Sequence, residues 1–142
     1  MRPFLLDVNV LVALLWPARV HADPAHLWLA ANRHAGLRTC PITQAGFIRI
    51  VSHPRFSGDR VPVAKAQEML REVLDQPDHQ FWPDTLELDE ALESAGPIVG
   101  HQQITDAYLV ALAIANGGVL ATFDRGALAL TGAKGNVEII TD

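Results

Sequence analysis

Three aspartates in this chain stand where local sequence and possible chemistry meet. Asp7 interrupts the apolar run Leu5-Leu6-Asp7-Val8-Asn9-Val10-Leu11. A charge inside such a run is costly unless it has partners. Asp106 opens the apolar stretch that ends at Asn116-Gly117-Gly118, and Asp124 lies just past the next one, Val119 to Thr122. Taken singly, an aspartate at a strand–helix junction is most often a helix cap. Three carboxylates brought together repel, and proteins hold such sets by protonation or by binding a divalent cation. An all-carboxylate set favours a hard ion, Mg²⁺ or Mn²⁺, over zinc. At a phosphate, such an ion can activate and orient water and stabilise the leaving oxygen. Asn9 is available to position a water or a carboxylate. Thr122 or Thr105 can do the same, or cap a helix.

The elements around these acids are readable from periodicity and from breakers. Residues 3–6 read as a short buried strand. Asn9 opens an apolar helix to about Trp16, which Pro17 ends. Helices are expected at 23–34, 43–52 and from Pro62 onward, where Val63, Ala66, Met69/Leu70 and Val73/Leu74 recur at helical spacing. Residues 53–60, rich in Pro and Gly, read as a loop. Strands are expected at 37–40, 80–82, 119–122 and 137–140. An acidic amphipathic helix is expected at 85–95, with Glu87, Glu90 and Glu93 opposite Leu88, Ala91, Leu92 and Ala95. Residues 105–116 read as a strongly apolar helix. Strands alternating with helices predict an α/β sandwich with a mostly parallel central sheet of four to five short strands flanked by helices. Ligands in such folds gather at the carboxyl ends of the strands. The helix from Asp106 travels about 15 Å at about 1.5 Å per residue. The strand to Asp124 returns about 20 Å at about 3.3 Å per residue. Asp106 and Asp124 should therefore meet at one sheet edge. Asp7 joins them if the first strand runs parallel.

With order and spacing in view, the segments LLDVNVLVALL, ITDAYLVALA and LATFDRG resemble the three acidic signatures of PIN domains. The resemblance covers nearly the whole chain. Within that superfamily the chain is most similar to the VapC toxins of prokaryotic toxin–antitoxin pairs, including a mycobacterial-type subgroup with a CPITQAGFIRI-like segment. This resemblance implies a Mg²⁺- or Mn²⁺-dependent endoribonuclease acting on structured RNA such as tRNA or rRNA. It also implies a homodimer and inhibition by a cognate VapB antitoxin. Asp7, Asp106 and Asp124 match the family's metal-site acids. One departure is plain. PIN nucleases commonly carry a Glu on the helix that here reads Thr43-Gln44-Ala45-Gly46-Phe47-Ile48-Arg49, and no acid occurs between Asp23 and Asp59. The candidate positions are Gln44 and Gly46. A Gln44 amide can still touch a metal-bound water.

Bulk properties narrow the alternatives. The 142 residues, 49% hydrophobic and 19% charged, suit a single domain over 1–142 and exclude wholesale disorder. No apolar run is long enough to span a bilayer. The apolar start is interrupted by Asp7 and Asn9 and is read as strand and helix, so a cytoplasmic protein is expected. Cys40 is the only cysteine, so no intrachain disulfide can form. Net charge is −5, yet residues 33–65 hold six basic residues against one acid, and residues 66–106 hold ten acids against one Arg. The basic stretch is either a phosphate-facing surface or a solvated one. Arg49 and Arg125 are candidates for RNA contact or for structural ion pairs. The six histidines fit no zinc spacing. His101, five residues before Asp106, is the one best placed near a site. Trp16, Trp28 and Trp82 read as core or dimer interface before base-stacking platforms. Two other function classes remain. An Asp-nucleophile phosphatase would want an acid two residues after Asp7, where Asn9 stands. A non-catalytic module binding RNA or an antitoxin would tolerate the missing helix Glu.

Overall fold

The computed structural model describes residues 1–16, 20–58, 60–98, 100–130 and 135–141. Five strands, β1 (Phe4–Leu6), β2 (Leu37–Thr39), β3 (His79–Phe81), β4 (Val119–Thr122) and β5 (Val137–Ile139), form one sheet in the order β3-β2-β1-β4-β5. Every pairing is parallel, with Phe4 opposite both Leu37 and Val119. The helices are α1 (Val8–Leu15), α2 (Ala22–Asn32), α3 (Pro41–Val51), α4 (Pro54–Ser57), α5 (Val63–Leu74), α6 (Leu88–Ser94) and α7 (Ile104–Ala115).

Alternation along the strands explains the layers. Phe4 and Leu6 of β1 pack into one core with α1, α2, α3 and α5, whereas Leu5 packs into a second core with α6 and α7. Val119 and Ala121 of β4 join the first core, and Leu120 joins the second. A strand buried on both faces is mainly apolar, as β1 is and as β4 is up to Thr122. Asp7 continues the parity of Leu5, and Thr122 that of Leu120. Both therefore lie on the side of the sheet covered by α7, the helix that carries Asp106. β1 is the central strand, so its carboxyl end is flanked by β2 and β4.

The sequence-based elements hold with local differences. The expected loop at 53–60 contains the one-turn helix α4. Pro54 occupies its first turn, His53 Nδ1 accepts from the Arg55 N–H at 3.1 Å, and Gly58 closes it at φ 78°. These are a complete set of start and stop signals on a segment too short to show helical periodicity. α3 starts at Pro41, before the expected residue 43, because Pro suits the first helical turn. α6 starts at Leu88, after the expected residue 85, with Glu87 as its cap. Leu88 is half exposed, while Ala91 and Ala95 are buried as the amphipathic pattern requires. Val63 is likewise exposed, although Ala66, Leu70 and Val73 of the same helix face the core. The expected helix stop at Pro17 lies outside the described residues; α1 itself ends at Leu15 with Trp16 as its cap.

The tryptophans are used in packing. Trp82 is buried, Trp28 meets the edge of Phe4 and donates its indole N–H to Glu138, and Trp16 meets the edge of Phe56. The basic stretch is not one phosphate-facing surface. Arg33 pairs with Asp78 at 2.7 Å, and Arg38 lies over the Trp82 ring and donates to the Leu37 carbonyl at 2.9 Å. Arg49, Arg55, Arg60 and Lys65 remain exposed.

Candidate active site

Asp7 is 7% exposed and caps α1 from an extended backbone, φ −66° and ψ 161°. Its two oxygens are used differently. Oδ1 accepts from the Val8 N–H at 2.7 Å, and Oδ2 accepts from the Thr122 hydroxyl at 2.7 Å. Capping and site-building are thus combined in one residue. Thr122, fully buried at the end of β4, is the hub of the arrangement. Its Oγ1 donates to Asp7 and accepts from the Asn9 side-chain amide at 3.2 Å and from the Asp124 N–H at 3.0 Å. The Asn9 carbonyl accepts from the Phe123 N–H at 3.3 Å. The ends of β1 and β4 are therefore joined by side chains as well as by the ladder. Asp124 folds its Oδ1 back onto the Gly126 N–H at 2.8 Å, capping a 3-10 turn, Arg125–Ala129, and remains exposed.

Asp106, in the first turn of α7, comes to the same edge. Burial, the charges of Asp7 and Asp124 and a hydrogen bond shared with Asp124 together push its carboxyl up to about 7. Asp7 is also raised by burial and slightly by Asp124, against the Thr122 and Val8 hydrogen bonds that favour its ionised form. Carboxylates that raise a neighbour in this way are a set lacking its counter-charge. No side-chain cation supplies it: among the described residues, the ion pairs involving lysine or arginine are Arg33–Asp78 and Lys65–Glu68.

Among the described residues, no three acid, histidine or cysteine side chains close tightly around one point. The described residues therefore form no finished zinc-type cage. That looseness does not conflict with a hard, hydrated ion, which keeps several waters and takes only one or two carboxylates. The donor set, all oxygen and short of positive charge, fits such an ion.

The remaining expected residues fall into two groups. Asn9 and Thr122 are in the acid network. Gln44 is at the end of β2, where its amide donates to Thr39 Oγ1 at 3.0 Å; Thr39 also bonds His79 at 2.8 Å. Gly46 faces Val8. A Cβ there would lie 2.5 Å from Val8 Cγ2, so position 46 has no room for a longer side chain while Val8 stays put. Arg49 and Arg125 are exposed. Thr105 is exposed on α7.

A cleft of about 350 Å³ opens beside Asp106 and Asp124, and His101, Gln102 and Gln103 also line it. The two glutamines were not singled out from sequence. The available signal was spacing, since Gln102 precedes Asp106 by four residues, one helical turn. On the far side of Asp7, a more apolar cleft of about 280 Å³ is lined by Asn9, Val12, His21 and Ile50, and His21 stacks on Phe123 at 4.5 Å.

Comparison with known proteins places the chain in a family. The PIN domain family model matches residues 4–132. The chain is 38% identical over 139 residues to ribonuclease VapC38 of Mycobacterium tuberculosis, spanning 96% of this chain and 97% of that protein. It is 43% identical over 128 residues to ribonuclease VapC29 of the same organism, spanning 90% of each. Among solved structures, a chain of VapBC2 from Rickettsia felis, bound to a DNA fragment from their promoter, superposes with a TM-score of 0.67 at 16% identity, covering 98% of this chain and 99% of that one. PAE2754 from Pyrobaculum aerophilum superposes with a TM-score of 0.60 at 27% identity, covering 97% and 84%. The chain belongs to the PIN-domain family and, within it, to the VapC ribonucleases.

Proposed function

We propose that this chain is a Mg²⁺- or Mn²⁺-dependent endoribonuclease and the toxin of a VapBC pair, acting in the cytoplasm as one PIN domain over residues 1–142. The observation that carries the reading is the acid set itself: burial, the charges of Asp7 and Asp124 and a hydrogen bond with Asp124 raise the Asp106 carboxyl, and among the described residues no lysine or arginine forms an ion pair with any of the three. Asp7, Asp106 and Asp124 are the residues that would hold the metal. When bound, a hard divalent ion offsets their charge and makes water a better nucleophile toward a phosphodiester. The chain's own residues do the rest. Thr122 aims Asp7 through its 2.7 Å hydrogen bond, which favours the ionised form against the opposing effect of burial. Asn9 holds the Thr122 hydroxyl and the Phe123 backbone in register, which fixes the Asp124 loop. The exposed Arg49 and Arg125 are the cations proposed to meet RNA phosphates.

The relatives named ribonuclease support RNA as substrate, with tRNA or rRNA the class expected. The VapBC2 assembly supports a VapB-type antitoxin as partner, and a homodimer is proposed with it. An Asp-nucleophile phosphatase fits poorly. The position two residues after Asp7 is an amide already spent on Thr122 and Phe123. A second reading, an RNA- or antitoxin-binding module with little or no cutting, is favoured by one observation. Gln44 and Gly46 supply no carboxylate on α3, and Gly46 is closed off by Val8.

The test is cleavage of total RNA by purified, antitoxin-free protein with Mg²⁺ or Mn²⁺, against EDTA and Asp7→Asn. Metal-dependent cuts that both controls abolish are expected. Folded protein that binds RNA but leaves it intact in either metal selects the second reading.

A further inference from the structure

The acid set explains how a phosphodiester would be attacked, but not how an RNA chain is held beside three carboxylates that repel it. The part of the cleft lining next to those acids carries no carboxylate and is rich in hydrogen-bonding side chains. It is formed by the 3-10 turn His101–Gln103, which leads directly into α7. This turn closes on its own backbone, with the Gln103 N–H donating to the Gly100 carbonyl at 3.1 Å and the Ile104 N–H to the His101 carbonyl. The fold therefore does not need the His101 and Gln102 side chains. Both are exposed, and among the described residues neither has a hydrogen-bond or ion-pair partner. Both nevertheless line the same cleft as Asp106 and Asp124.

We propose that His101 and Gln102 form a substrate subsite that holds the ribonucleotide next to the cleaved bond, an assignment that rests on the ribonuclease reading above. The chemistry of the pair suits the place. An arginine or lysine here would pair with Asp106 and Asp124 and quench the acids that a metal must meet. A glutamine amide brings two donors and one acceptor without charge, the complement of an exposed base edge in single-stranded or looped RNA. An imidazole brings a ring N–H to a sugar–phosphate oxygen and a flat face to a base. Gly100 also lines the cleft, and a Cβ built there meets nothing within 4 Å. Gln102 sets which base is accepted, and His101 holds the backbone.

The experiment compares the parent chain with His101→Ala, Gln102→Ala, the double variant and His101→Gln, which keeps an N–H donor. Cleavage of bulk tRNA and total RNA in Mn²⁺ gives KM, kcat and the distribution of cut sites. Binding of fluorescein-labelled bulk tRNA in Ca²⁺ gives Kd without relying on turnover. Each alanine is expected to raise KM about tenfold, the worth of one good hydrogen bond. kcat should stay within about threefold, because the Asp network is untouched. Gln102→Ala should broaden the cut-site distribution, and His101→Gln should recover part of the lost KM. A double variant with parental KM, cut sites and Kd overturns the subsite. If the parent binds tRNA but cuts nothing, the ribonuclease reading fails separately. The Kd comparison then still decides the subsite: weaker binding by the double variant supports it, and equal binding overturns it.

Discussion

Asp106→Asn should stabilise the metal-free protein while abolishing cleavage. In the folded chain the Asp106 carboxyl is pushed from 3.8 up to about 7 by burial, by Asp7 and Asp124, and by the hydrogen bond with Asp124. In the unfolded chain it titrates normally. Between about pH 4 and pH 7 the folded state therefore holds more protons than the unfolded one, and stability falls as pH rises through that window. The penalty is complete above pH 7 and gone near pH 4. A displacement of that size corresponds to roughly 4 kcal/mol, at about 1.4 kcal/mol per pH unit. Asp106 is only half-buried, so solvent screening reduces the usable figure to about 1–2 kcal/mol. The asparagine amide carries no charge and can still donate to Asp124. In EDTA at pH 8, urea unfolding should show the variant more stable than the parent by about 1–2 kcal/mol, or about 3–6 °C in Tm for a chain of this length. The gap should close toward pH 4. Added Mn²⁺ should then stabilise the parent and reverse the order, because ion binding to the folded state adds stability only where the carboxylates are complete. A variant less stable than the parent at pH 8 in EDTA, or a gap that ignores pH, would refute the claim that the three acids strain one another.

Two further substitutions probe the frame around the acids. Thr122→Val keeps the shape but removes the hydroxyl that serves Asp7, Asn9 and Asp124 at once; it should cost about 2–3 kcal/mol in urea unfolding and weaken Mn²⁺ binding, and a Tm close to the parent's would show that the hub is not structural. Gly118→Ala places a Cβ 2.8 Å from the Pro3 carbonyl and 2.6 Å from the Trp82 ring; it should lower stability by about 1–3 kcal/mol through crowding where β4 begins, measured by urea unfolding, and a neutral result would mean that β1 and Trp82 yield more readily than their packing implies.

Much of the site was legible before folding because its signals are local. Asp7 inside LLDVNVL, Asp106 at a helix start and Asp124 after a strand are each visible as a charge at the border of an apolar run. The central strands β1 and β4 and most helices announced themselves by apolar stretches, 3.6-residue spacing and Pro or Gly stops. The short helix α4 escaped because one turn carries no period and only its caps reveal it. The outward Leu88 and Val63 escaped because a hydrophobic pattern cannot say where its neighbour ends.

The identity of the acids and the parallel α/β pattern are written along the chain, since hydrophobic period and breaker residues act between near neighbours. Other features belong to tertiary structure alone. The placing of β1 between β2 and β4, the Asp7–Thr122 bond across 115 residues, the closing of position 46 by Val8 and the sharing of one cleft by Gln102 and Asp124 are among them. Each depends on which distant segments pack together, and that is decided by total burial on both faces of the sheet, a sum no local window contains.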